Sequence, residues 1–162
     1  MRLSHWVLAV SFLVAFVTHE DVGPVHVYSG YIALGTAALR VLWGLVGPKH
    51  ARFSDFVCHP KIAAGYLFDL MLFRAKRYIG HSPAGGLMVV ALLAVILICG
   101  VTGVLIEDAG MEFLEGIHEL SSDLGMLLVV LHLAGVALAS VVHRENLVRA
   151  MINGRKRSDQ PD

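Results

Sequence analysis

Between Ala84 and Ile106 the chain runs for 23 residues without a charge or a histidine. About 20 apolar residues are enough to cross a hydrocarbon core of roughly 30 Å. In that medium every backbone N–H and C=O must be bonded within the segment, which leaves the α-helix as its conformation. Three further stretches have the same character. Trp6–Val17 is uncharged and, extended from His5 to about Val22, reads as a short first span. Val25–Val46 carries one charge, Arg40, near its end, and Leu124–Val142 is uncharged and contains His132, with a helix start expected near Gly116. Composition agrees, with 56% hydrophobic residues, 16% charged residues and a mean hydropathy of +0.68. The expected fold class is all-α and integral to the membrane, a bundle of four transmembrane helices. Arg2 ahead of an apolar stretch also fits a signal peptide, but no small-x-small cleavage site follows Val17, and three more spans do.

Four spans put both termini and the Gly47–Pro83 loop on one side. All thirteen Lys and Arg fall on that side, and none lies in the turns Val22–Pro24 and Glu107–Gly116. The bias of basic residues towards the cytoplasm makes this the cytoplasmic face, so both termini are expected there. The opposite face is acidic, with Glu20, Asp21, Glu107, Asp108, Glu112, Glu115, Glu119 and, at its edge, Asp123. Within the long loop, Lys61–Ile79 is apolar with basic residues at its end and reads as a helix lying on the lipid surface. Residues 1–157 form one membrane domain in this reading, and 158–162 a polar disordered tail. Lipid is the obligatory partner, and no nucleic-acid partner is expected. Two cysteines, Cys58 and Cys99, are too few for a disulfide framework, and no CxxCH is present for covalent haem attachment.

Charge-free spans make their histidines conspicuous, because a polar side chain at membrane depth needs a partner. His118 and His132 are fourteen residues apart. Fourteen helical residues turn through nearly four full turns and rise about 21 Å, so both imidazoles share a face at two depths. Counting along the other helices puts His26 level with His118 at the outer side, and His5 level with His132 at the inner side. His19, one turn from the outer end of the first helix, competes with His26. His143 also lies on the ligand face of the fourth helix, but beyond the level of His5, beside Arg144 and Glu145, where it reads as interfacial. Each pair offers two nitrogens and little else, whereas zinc takes four ligands in a closed site. Bis-histidine ligation of haem iron needs two imidazoles on facing helices and a slot between them. Gly125, seven residues from both His118 and His132, and Gly30, one turn beyond His26, leave room for a macrocycle. Arg40 and Arg2 are candidate donors to a propionate of the inner group, against snorkelling to the interface as the more ordinary role of either.

The segments "RLSHW" at 2–6, "VHVYSGYIALGTAALRVLWGLVGPKHARFSDFV" at 25–57, "IGHSPAGGLMVVALL" at 79–93 and "VVHRENLVRAMINGRKR" at 141–157 resemble the bacterial cytochrome b561 family, which includes the membrane cytochrome b subunits of nickel–iron hydrogenases. The resemblance implies two non-covalent b haems held by His5, His26, His118 and His132 in the bacterial inner membrane. It also implies electron traffic between the quinone pool and a periplasmic protein, either a c-type cytochrome or an iron–sulfur, hydrogenase-like subunit. On this basis the chain is expected to be a non-catalytic electron-transfer subunit. Some members of the family instead stand alone and oxidise superoxide, passing the electron to quinone. The acidic outer face argues against that alternative, because it repels a small anion.

Overall fold

The computed structural model describes residues 2–19, 23–47, 52–76, 78 and 82–153. They form seven α-helices: α1 (Arg2–Val17), α2 (Pro24–Val46), α3 (Phe53–Phe56), α4 (Pro60–Met71), α5 (Pro83–Ala109), α6 (Glu115–Val142) and α7 (Leu147–Asn153). A single 3-10 turn, Glu112–Leu114, joins α5 to α6, and no strand occurs among the described residues. Proline opens α2, α4 and α5, where its fixed φ suits a first helical turn and its missing N–H leaves nothing unsatisfied. The Ser82 hydroxyl caps α5 by accepting from the Gly85 N–H at 3.2 Å.

Among the described residues three helices are long and apolar enough to cross a membrane: α2, α5, and α6 together with the 3-10 turn before it. The first helix differs from the sequence expectation. It starts at Arg2 and ends at Val17, with Thr18 and His19 in a turn, so it does not run on to Val22. Sixteen residues span roughly 24 Å, short of a full hydrocarbon core. The surface helix also stops early, at Met71 and not near Ile79. Phe73 takes a left-handed conformation (φ 57°), the Phe73 N–H bonds the Leu70 carbonyl, and the Arg74 N–H bonds the Asp69 carbonyl. That pattern closes a helix whichever residue supplies it. The proposed polar tail lies outside the described residues.

Successive long helices run antiparallel, with α1 on α2, α2 on α5, and α5 on α6. Small residues make the central packing possible. Ser29, Ala33 and Ala37 recur at four-residue spacing along the buried face of α2, where they let neighbouring backbones approach. Leu8 and Phe12 from α1 and Leu93 and Ile96 from α5 complete the core. Nearer the end of α2, Gly44 is covered by the ring of Phe53 from α3. Large apolar side chains such as Leu39, Val46 and Leu133 remain exposed, as surfaces facing lipid do. α6 joins the bundle mainly through α5 and has at most slight backbone contact with α1 and α2. The space on that side is where the histidines lie.

Candidate haem-binding sites

His118 and His132 both project from α6 towards α1 and α2. At the outer level the His26 ring of α2 faces His118, with ring centres 6.1 Å apart and planes at 75°. At the inner level the His5 ring of α1 faces His132, at 6.3 Å and 61°. An imidazole nitrogen sits about 2 Å from a metal it ligates, and the ring centre lies about 1 Å behind that nitrogen. Two rings on opposite sides of one ion are therefore roughly 6 Å apart, centre to centre. Both pairs have that spacing. Among the described residues no three His, Cys, Asp or Glu side chains gather at one point.

Hydrogen bonds fix the tautomers of the outer pair. His26 Nδ1 lies 2.9 Å from the Ala15 carbonyl, and His118 Nδ1 lies 2.9 Å from the Cys99 carbonyl. A carbonyl has no hydrogen to give, so Nδ1 carries the proton in both rings and donates it. The Nε2 lone pair of each ring is left for a ligand, the arrangement in which metal-binding histidines are held by a carbonyl on the far side. Ala15 can accept because α1 ends two residues later, which leaves its carbonyl without a full helical partner.

A cavity of about 440 Å³ surrounds the outer pair. Gly30 forms part of its wall, and a methyl group added there would meet no protein atom within 4 Å. The cavity is apolar in its depth, with Phe12, Val27 and Ala33, and acidic at its mouth, with Glu107, Glu115 and Glu119. Its volume lies within the ordinary range for small-molecule sites. Paired free nitrogens at the right separation, an apolar chamber and a glycine wall fit a haem.

The remaining candidates fall differently. Gly125 is buried, but a Cβ on it would meet the Phe12 ring at 2.8 Å, so the space its missing side chain leaves is taken by Phe12. Arg40 follows His26 by fourteen residues on α2, the same interval that separates His118 from His132, so it stands at the inner level. It is close enough to His5 to act on it electrostatically. His19 also lines the outer cavity and its Nδ1 too is held by a carbonyl, that of Phe16 at 2.8 Å, but its ring lies beside Phe16, 5.8 Å between centres, whereas the ring that faces His118 is that of His26. His143 contacts the Tyr66 hydroxyl of α4 at 3.5 Å, away from both pairs. Residues assigned no part in the site from sequence are Ala15, Cys99, Thr102 and Gly103, which lie against the ligand rings from α1 and α5. Two of them act through backbone carbonyls, which no residue type announces.

The chain is 26% identical to the probable Ni/Fe-hydrogenase B-type cytochrome subunits of Azotobacter chroococcum mcd 1 and Azotobacter vinelandii, over alignments covering 100% of this chain and 88% of each relative. Those alignments run to 215 positions against 162 residues here, so the relatives carry segments that this chain lacks. No solved structure matches it. The pattern that defines the prokaryotic cytochrome b561 family matches residues 1–154, and the chain belongs to that family of membrane electron-transfer proteins with b-type haem.

Proposed function

We propose that the protein is a dihaem cytochrome b with four spans and cytoplasmic termini, carrying electrons across the bacterial inner membrane between a periplasmic redox protein and quinone. The observation that carries this reading is the pair of histidine contacts, 6.1 Å and 6.3 Å between ring centres, at two levels of one helix. A haem held between two imidazoles is six-coordinate, which favours one-electron transfer over oxygen binding. The chain's own residues do the rest. His26 and His118 hold the outer site with their Nδ1 protons committed to carbonyls, His5 and His132 hold the inner site, and the apolar walls exclude water. Arg40, at the inner level, supplies the positive charge a propionate needs. Gly30 leaves space beside the outer pair. α1, although short, is the fourth span in this reading, with Arg2 reaching the inner interface and bonding the Ile152 carbonyl of α7 at 2.9 Å. The hydrogenase relatives support a hydrogenase-like or other iron–sulfur partner, and a c-type cytochrome with a basic surface would suit the acidic outer face equally.

The test is a haem count on the purified chain, followed by single substitutions. Two haems per chain, extractable by acid acetone, are expected from a pyridine haemochrome assay. His118→Ala removes the outer haem and His132→Ala the inner, while His19→Ala and His143→Ala keep both. One haem per chain, or loss of the outer haem from His19→Ala with retention in His26→Ala, overturns the assignment.

A further inference from the structure

α5 contributes no histidine and no charge until its last turn, yet it touches the outer ligand most closely. The His118 Nδ1–H reaches the Cys99 carbonyl at 2.9 Å and the Thr102 hydroxyl oxygen at 3.3 Å. Thr102 is itself anchored, its hydroxyl lying 2.9 Å from both the Ile98 and Cys99 carbonyls. A carbonyl in mid-helix is normally shielded, because the side chain four residues on leans back over it. Four residues after Cys99 stands Gly103, with no side chain. A Cβ built there would lie 2.9 Å from His118 Cε1 and 3.3 Å from Nδ1, inside the space the imidazole occupies.

We propose that Gly103 is a positioning residue for the outer haem ligand, together with Thr102. The absent side chain uncovers the Cys99 carbonyl, and the uncovered carbonyl sets both the rotation of the His118 ring and the nitrogen that keeps its lone pair. Hydrogen bonding at Nδ1 makes the opposite nitrogen a stronger donor, which favours the oxidised iron. The ring's angle to its partner, 75° here, governs the anisotropy of the ferric low-spin signal. Gly103 and Thr102 thus act on the outer iron without touching it. This rests on His118 being a haem ligand.

Gly103→Ala and Thr102→Val in the haem-loaded full chain test it, read by electron paramagnetic resonance of the ferric protein and by redox titration. His118→Ala is made alongside, and if it retains two haems, the ligand assignment itself fails. Given loss of the outer haem there, Gly103→Ala is expected to shift the outer signal and leave the inner signal unchanged. Its outer haem should be reduced several-fold more readily at a fixed ambient potential. Thr102→Val removes a hydroxyl without adding volume and gives a smaller shift in the same direction. An outer signal and potential unchanged in a two-haem Gly103→Ala protein overturn the proposal. Where that variant fails to retain the outer haem, Thr102→Val decides: a shifted outer potential supports the proposal, and an unchanged one overturns it.

Discussion

Residue 125 has no side chain, and the ring of Phe12 reaches α6 there, midway between the two histidine levels. Phe12 follows His5 by seven residues, as Gly125 follows His118 and precedes His132, so the ring stands at the level that separates the sites. An alanine at 125 would put a Cβ 2.8 Å from Phe12 Cζ. Overpacking of this kind costs about 1–3 kcal/mol. Gly125→Ala is therefore expected to lower the thermal midpoint by a few degrees and to perturb the absorption bands of both haems, since the displaced ring moves towards one site or the other. Gly30→Ala should leave packing untouched and, if the proposed haem fills the outer cavity, alter only the outer band, because a Cβ built there meets no protein atom within 4 Å. Visible spectra of the two variants at low temperature separate the cases. The histidine spacing that led to these positions was legible in the sequence because it depends only on helical period. The use of Gly125 was not, since a glycine in a membrane helix reads alike whether a macrocycle or a phenylalanine fills its space. Gly103 and the carbonyls of Ala15 and Cys99 escaped for a related reason, as hydrogen bonding by the backbone leaves no trace in residue identity.

At the scale of the helix, the apolar runs located α2, α5 and α6 well, and the ends were the weak point. Helix ends depend on φ/ψ at a single residue. α4, α5 and α6 close in the same way, through left-handed Phe73, Gly110 and Arg144. At α5 the Met111 N–H bonds the Leu105 carbonyl at 3.1 Å, and at α6 the Glu145 N–H bonds the Ser140 carbonyl at 3.0 Å. Gly110 is the residue such a stop favours, whereas a phenylalanine or an arginine there pays a steric cost on account of its Cβ. No residue-type rule finds those two stops. Arg144→Gly is thus expected to stabilise the end of α6 by about 0.5–1 kcal/mol, net of greater chain freedom when unfolded. A rise in thermal midpoint with unchanged haem content checks it. Gly110→Ala should shift the midpoint the other way by a similar amount. The early stop of α1 has a consequence of its own, because it leaves the Ala15 carbonyl free of a following helical turn, where the His26 Nδ1–H reaches it at 2.9 Å.

Among the described residues the basic side chains are confined to one end, and the other end carries carboxylates alone. Glu107, Asp108, Glu112, Glu115, Glu119 and Asp123 are all exposed near the outer histidine pair, while Arg52, Lys61, Arg74, Lys76, Arg144 and Arg149 lie at the inner end. Asp108 also ties α5 to α2, accepting from the Tyr31 hydroxyl at 2.9 Å, so part of the acidic surface is fixed in place. An acidic rim around the mouth of a redox site draws in a cationic protein surface and speeds encounter without adding much to affinity. The attraction falls as salt shortens the screening length to roughly 8–10 Å at physiological strength. Neutralising Glu107, Glu112 and Glu115 to Gln, with Asp108→Asn, is therefore expected to slow reduction of the outer haem by a basic donor several-fold at low ionic strength and hardly at all at high. The haem spectra should stay as they are, since none of the four carboxylates is a ligand. Stopped-flow reduction at a series of salt concentrations, with the wild-type and substituted chains side by side, measures it. A rate that ignores both the substitutions and the salt would mean that the partner docks through apolar contact, against the lipid-facing helices of the bundle and not its acidic end.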